Sequence, residues 1–568
     1  MSSFPALTIV LFLPLLGVAG ALALPRQWAW GWALLCALAD LALAIALFVA
    51  FDAGLSGFQF HEAQPWIPGF GITYALGLDG VSLMLVGLNA LLTVVAVAAS
   101  FGLVRTSERP RQYLALLLLL ATGMQGVFLA TNLFLFYVFW ELMLVPAYLL
   151  VGIYGGPRRT YAAIKFVIYT AAGSLLMLVG VIATGAVASA STGRPYSLDL
   201  GELVAAAAKM PVSAQVPLFL AFFAAFAVKS GLFPLHSWAP DTYSEAPVPV
   251  VVLIAGVMAK TGTYGFLRFT LPLFPQGAHL LQPLMIVLSV VGILYFALMA
   301  LVQTDFLRLL AYVSLSHMGV IVLAVFAFNA QGLEGAVLQM VNHGIVIAAL
   351  FLIAGWIAAR AGTRDLTRFG GLAARWPWLA TVFLIAALSA LGLPGLNSFA
   401  GEFLAFLGAF RANLVAGILA TAVVIPAAWY MLRFFQNTTE GSLVTAGPVA
   451  AAVAKRRAGA ASGDLRVGEA LVLLPLILLI FYLGVQPAIL TTRMETTVTG
   501  ILTAANARTA AAIPLTRGEA NRGTTEVFTM RTQRTQRDGP HPQPPVGDPN
   551  PSPTGRGEPV GVVVMTLR

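Results

Sequence analysis

The sequence predicts an all-α polytopic membrane protein of about 14 transmembrane helices, two of them broken. Three observations carry this. Of 568 residues, 59% are hydrophobic and 10% charged, with a mean hydropathy of +0.88; a soluble domain carries roughly 25% charged residues. Apolar runs of about 20 residues, enough to span a hydrocarbon core of about 30 Å, recur along most of the chain. One interrupted segment occurs twice. "GLFPLHSWAPD" from Gly231 and "GLPGLNSFAGE" from Gly392 share Gly, Leu, Leu, Ser and Ala in register, and pair Trp238 with Phe399 and Asp241 with Glu402.

The runs place helices near residues 5–24, 28–50, 79–104, 112–130, 131–153, 160–188, 215–234, 247–271, 279–301, 305–328, 332–360, 376–410, 412–436 and 467–491. The first has no basic segment before it and is long, so it is expected to be a retained membrane helix and not a cleaved signal. Loop charges give the orientation. Arg105, Arg109 and Arg111 precede helix 4, Arg158 and Arg159 precede helix 6, Arg360 to Arg375 precede helix 12, and Lys455 to Arg457 precede helix 14. All four loops share one side of a fourteen-helix count, which makes that side cytoplasmic and puts both termini outside. The loop between helices 7 and 8 is the exception: it lies on the same side yet carries Asp241 and Glu245. From about residue 504 the chain turns rich in Pro, Arg, Thr and Gly, the composition of a disordered tail.

Composition also excludes. One cysteine, Cys36, rules out an internal disulfide and argues against a cysteine-ligated iron–sulfur centre. No glycine-rich phosphate loop stands between a strand and a helix, so nucleotide binding is unsupported. The net charge of +9 resides largely in loops and tail, which fits membrane topology and not a nucleic-acid partner.

Paired broken helices in two halves of a chain point to an ion or substrate site at mid-membrane. The ionisable residues agree. Glu141 sits in "FLFYVFWELMLVPAYLL", about 15 Å from either end of its run. Lys229 precedes the first break and Lys260 lies mid-run in helix 8; His317 and His343 lie in helices 10 and 11, and Glu402 follows the second break. A charge at a helix centre costs about 2.5–3.5 kcal/mol. Four of them, Glu141, Lys229, Lys260 and Glu402, cost of order 10–14 kcal/mol, comparable to a whole domain's net stability. The choice of cation sharpens the point. Only five of 32 basic residues are lysine (Lys165, Lys209, Lys229, Lys260, Lys455), yet both cations placed well inside the membrane are lysine. An amine exchanges its proton when burial shifts its pKa, whereas a guanidinium stays charged. His236, beside the break, is read as a relay member. Lys165 is placed to snorkel to the interface. Asp305 and Arg308 are expected to pair at a helix end, and mid-helix Asp40 is expected to face a partner subunit.

These residues lie in motifs that resemble one family. "LGLDGVSL" from Leu76, "FYVFWELMLVPAYLLVGIYG" from Phe136, "YAAIKFVIYTAAGSLLML" from Tyr161, the block from Phe226 to Arg268, "LLAYVSLSHMG" from Leu309 and "LPGLNSFAGEF" from Leu393 are similar to the antiporter-like membrane subunits of respiratory complex I, in the subunit M (mitochondrial chain 4) family. The resemblance runs from the first helix to about residue 500. It implies two inverted five-helix repeats, each with a broken helix. It divides the chain into helices 1–3 (residues 1–110), a first antiporter-like repeat (111–272), a second (273–436), a cytoplasmic loop with helix 14 (437–503) and the tail (504–568). It implies that Glu141, Lys229, Lys260, His317, His343 and Glu402 form a proton path; glutamate at 402 favours subunit M over its lysine-bearing relatives. Leu307 departs from the family, which commonly has lysine there. The expectation is a proton-translocating subunit of NADH–quinone oxidoreductase in a bacterial inner (plasma) membrane, with no cofactor of its own. NADH, FMN, iron–sulfur clusters and quinone are expected in partner subunits, which include two further antiporter-like chains. The alternative is a subunit of a multisubunit cation/proton antiporter or a membrane-bound hydrogenase. A stand-alone transporter would need a substrate pocket with specific polar groups, and a passive scaffold would not bear the cost of the buried charges.

Overall fold

Hydrophobicity all round a helix demands burial or lipid on every side, and the chain shows both solutions. In the computed structural model, which describes residues 5–441 and 464–512, helix 8 (Val248–Leu273) is buried continuously from 249 to 275. Helices 6 (Arg159–Thr192) and 9 (Pro275–Leu301) instead expose Ile168, Leu175, Val179, Leu280 and Leu298. Among the described residues, thirteen helices are long and apolar enough to cross a membrane. Pro377–Ala390, continued by Asn397–Ala412, supplies a fourteenth crossing as helix 12.

The two broken helices are the same backbone event. Helix 7 (Val212–Ser230) stops at Gly231, φ 68°, and resumes as Trp238–Glu245. Helix 12 stops before Gly392, φ 67°. In each, the residue after the glycine donates back five residues: Leu232 N–H to Ala227 O at 2.9 Å, Leu393 N–H to Leu388 O at 3.1 Å. This is the glycine-terminated helix end, which needs a left-handed residue without Cβ strain. Three residues on, Leu235 N–H bonds Leu232 O and Leu396 N–H bonds Leu393 O. An odd-numbered and an even-numbered crossing traverse the membrane in opposite directions, so the two breaks are inverted copies. Asn342, Asn397 and Ser389 latch the second break to helix 11 (Ala330–Ala361) through Asn342 Nδ2 to Asn397 O at 2.6 Å and Ser389 Oγ to Asn397 Oδ1 at 2.6 Å.

Beyond shifts of a few residues at helix ends such as those of helices 3 and 6, these features depart from the sequence expectation. A hairpin joins helices 2 (Arg26–Ala50) and 3 (Gly80–Ala99), with β1 (Gln59–Ile67) antiparallel to β2 (Ile72–Leu78) across a Pro68–Gly71 turn. Its Glu62 accepts from Leu7 N–H at 2.7 Å and from the Thr8 hydroxyl, closing the otherwise unpaired start of helix 1 (Ala6–Ala23). Helix 13 (Leu414–Thr439) runs three residues past the expected boundary at 436. Helix 14 ends at Val485, before Pro487, and a further helix, Ala488–Ala512, occupies the start of the expected tail. Its cause is a stripe at helical spacing: Leu490, Met494, Val498, Ile501 and Ala505 are all buried. Lys455, Arg456, Arg457 and residues 513–568 lie outside the described residues.

Candidate functional site

Helix 5 (Leu133–Tyr154) starts on Asn132, whose side chain accepts from Phe134 and Leu135 N–H. It is interrupted at Met143, where Pro146 denies the Leu142 carbonyl its donor. Glu141 sits at this interruption, half-buried, with Oε1 lacking a hydrogen-bond partner. Its neighbour Trp140 lies under Lys229, with Nζ 4.9 Å from the ring centroid; Phe166 is at 6.0 Å. Lys229 occupies the last turn of helix 7, where the break exposes a carbonyl-rich helix end inside the membrane. The negative end of a helix dipole favours a cation, and aromatic faces add to it. A break beside an ammonium is thus a solvent substitute. Glu141 and Lys229 form no ion pair within 4.0 Å.

Gly262 brings the two lysines' helices together. A Cβ there would lie 2.6 Å from Phe226 O and 2.9 Å from Ser230 N, so only glycine permits this contact between helices 7 and 8. Lys260, two residues away, is wholly buried beside a π-helical turn, Ile254–Met258. Its Nζ donates to the Ala255 carbonyl at 2.6 Å and lies 2.7 Å from His343 Nδ1. A π turn disturbs the regular carbonyl ladder, as such turns frequently do at functional sites.

Beyond Lys260 the groups are continuous. The His343 and His317 rings stand 5.4 Å apart, centroid to centroid. His343 Nε2 has no protein partner, and both rings line a cavity of about 10 Å³ with Ser398, about the room one water needs. His317 Nδ1 lies 3.0 Å from Glu402 Oε1, and Gln339 Nε2 donates to the same oxygen at 3.0 Å. Glu402 folds back against Gly392; a Cβ at that glycine would meet its Oε2 at 2.6 Å. Sequence reasoning missed Gln339, whose signal is its place one helical turn before His343 on the same face.

The structure places His236 apart from this line. It packs against Phe233, Tyr295 and Phe296, at 5.9, 5.5 and 4.6 Å. The acidic anomaly at the inner end resolves into ion pairs. Asp241 receives Lys165 at 2.8 Å and Arg308 at 2.9 Å, while Glu245 receives the Arg158 backbone N–H at 2.9 Å and faces Arg364 at 3.7 Å. Three expectations are corrected. Arg308 pairs with Asp241 and not Asp305, because Asp305 turns back to accept from Leu307 and Arg308 N–H at the start of helix 10 (Phe306–Val325). Lys165 is tethered to Asp241 and does not simply snorkel. Asp40 is buried inside this chain, 1% exposed, and is not presented at its surface. No cluster of three or more His, Cys, Asp or Glu that could hold a metal occurs among the described residues.

Residues 130–426 match the family described as NADH:quinone oxidoreductase/Mrp antiporter, TM. The chain is 36% identical over 496 residues to NADH-quinone oxidoreductase subunit M of Rickettsia typhi, covering 86% of this chain and 96% of that one. With the same subunit of Rhodobacter capsulatus it shares 37% over 501 residues, covering 85% and 94%. Its fold matches a chain of respiratory complex I from Thermus thermophilus with bound NADH at a TM-score of 0.76 and 34% identity, covering 87% and 99%. A chain of the archaeal membrane-bound sulfane sulfur reductase shares the fold at a TM-score of 0.75 and 23% identity.

Proposed function

The chain belongs to the NADH:quinone oxidoreductase/Mrp antiporter membrane family, as a proton-translocating membrane subunit of NADH–quinone oxidoreductase, and we propose that its protons travel through Glu141, Lys229, Lys260, His343, His317 and Glu402. One observation supports this most strongly. Lys260 Nζ is on His343 at 2.7 Å and His317 is on Glu402 at 3.0 Å, with room for one water between the two imidazoles. Every member of that line can both take and give a proton.

In this reading an ionised Glu141 favours the ammonium form of Lys229. Neutralising or displacing Glu141 leaves a desolvated ammonium on its aromatic bed, and the proton moves to Lys260 across the Gly262 contact. Lys260 passes it to His343 Nδ1; a proton leaves His343 Nε2 through the cavity to His317 and then to Glu402, on the outer side of the second break. Gln339 holds the Glu402 carboxylate towards His317. His236 lies inward of Lys229 along helix 7 and is proposed to feed it from the cytoplasmic side. We place the chain in a bacterial inner membrane, among the other membrane-arm subunits and two further antiporter-like chains. NADH, FMN, iron–sulfur clusters and quinone are assigned to partner subunits.

Glu141→Ala and Lys229→Ala test this in the whole complex reconstituted in vesicles. Both are expected to assemble and to lose most NADH-driven proton uptake. Near-normal proton yield in both variants would remove the path.

A further inference from the structure

A second buried polar column lies outward of Lys260 on the same helix. Tyr264 stands one turn beyond Lys260 and Arg268 one turn beyond that. The Tyr264 hydroxyl lies 3.2 Å from Ser82 Oγ and 3.3 Å from the Phe128 carbonyl, and Arg268 Nε donates to it at 3.2 Å. Arg268 Nη2 then reaches both oxygens of Asp79, at 2.6 and 2.5 Å. Asp79 caps helix 3 at the outer end, where Thr497 of the last helix receives the Gly80 N–H at 3.0 Å. Arg268, Asp79, Tyr264 and Ser82 are 5%, 3%, 1% and 0% exposed. Along the helix axis the column starts one turn, about 6 Å of rise, outward of Lys260, and it ends on the buried Asp79 at the start of helix 3.

Resting on the reading of Lys260 as a proton carrier, we propose that Arg268, fixed by Asp79 and Tyr264, is a proton block that closes this direct outward route and turns the proton sideways to His343. A proton crosses a chain of hydrogen bonds only where each member can accept before it donates. Tyrosine, serine and carboxylate qualify; guanidinium, with five donors and no acceptor, does not. Here it supplies hydrogen bonds to Tyr264 and to both Asp79 oxygens, so it occupies the acceptors that would otherwise complete the wire. Without it, Asp79 would face Tyr264 and Ser82 directly, and the potential built by pumping would drive protons back to Lys260.

The test is passive flux, which needs no turnover. Vesicles holding the whole complex receive a potassium diffusion potential in the absence of NADH, and entrapped dye reports proton entry. Arg268→Gln is expected to raise proton entry severalfold over wild type, with NADH–quinone turnover retained. Adding Lys260→Met to the same chain is expected to return it to the wild-type value. An assembled Arg268→Gln complex as tight as wild type overturns the proposal, as does a leak that Lys260→Met does not stop. Should Arg268→Gln fail to assemble, Arg268→Lys keeps the ion pair but can release its proton: a raised leak supports the block and a wild-type leak overturns it. A purely structural Arg268 would lower assembly without a leak that depends on Lys260. Normal NADH-driven pumping by Lys260→Met alone would instead overturn the relay reading, so the two failures are distinguishable.

Discussion

Lys260→Arg separates a proton carrier from a buried charge. Lys260 is 0% exposed, and its ammonium is held by one carbonyl and one imidazole nitrogen. Arginine retains the positive charge at that point, so any role as an electrostatic post survives. Release of the proton does not. A guanidinium's ordinary pKa lies so far above neutral that deprotonating it at pH 7 costs about 7.5 kcal/mol, a population lower by more than five orders of magnitude. Five N–H donors would also face two acceptors, each orphan costing about 1–3 kcal/mol, so assembly must be measured too. The assay is the proton yield per NADH of the reconstituted complex, from dye quenching against quinone reduction, beside Lys260→Met as a neutral control of similar length. Lys260→Arg is expected to pump no better than Lys260→Met. Wild-type proton yield in an assembled Lys260→Arg complex would refute proton transfer through this side chain.

Two further outcomes follow from the geometry. Gly262→Val pushes against the Phe226 carbonyl and the Ser230 nitrogen; overpacking of this kind costs about 1–3 kcal/mol, and the proton yield should fall although every titratable residue remains. Asp241→Ala removes the shared partner of Lys165 and Arg308. With 21% and 32% of those side chains exposed, solvent screens part of the loss, leaving roughly 2 kcal/mol. It should lower the temperature at which the solubilised complex loses this subunit, while the proton yield per NADH is retained.

Much of the site was legible because its chemistry violates its surroundings. Glu141, Lys229, Lys260 and Glu402 stand out in apolar runs through cost alone, and the repeat of Gly231 and Gly392 shows in residue identity because a left-handed helix end tolerates little else. Arg268 was hidden by its place near the end of helix 8; only Asp79, 189 positions away, makes it a buried ion pair. Asp305 and Arg308 misled for the converse reason, since nearness in sequence suggested a pair that three-dimensional competition gave to Asp241.

By itself the sequence determined the membrane class, the crossings, the two breaks and the identity of the proton-competent groups. Each is a local property: a run long enough to span lipid, a glycine at a positive φ, an amine where no charge is tolerated without cause. Which groups touch was decided only by tertiary structure. Hydrogen bonds act over about 3 Å, and the contacts of Lys260 with His343, His317 with Glu402, and Asp79 with Arg268 join residues 83, 85 and 189 positions apart. Helix packing sets such distances, and no local pattern encodes them.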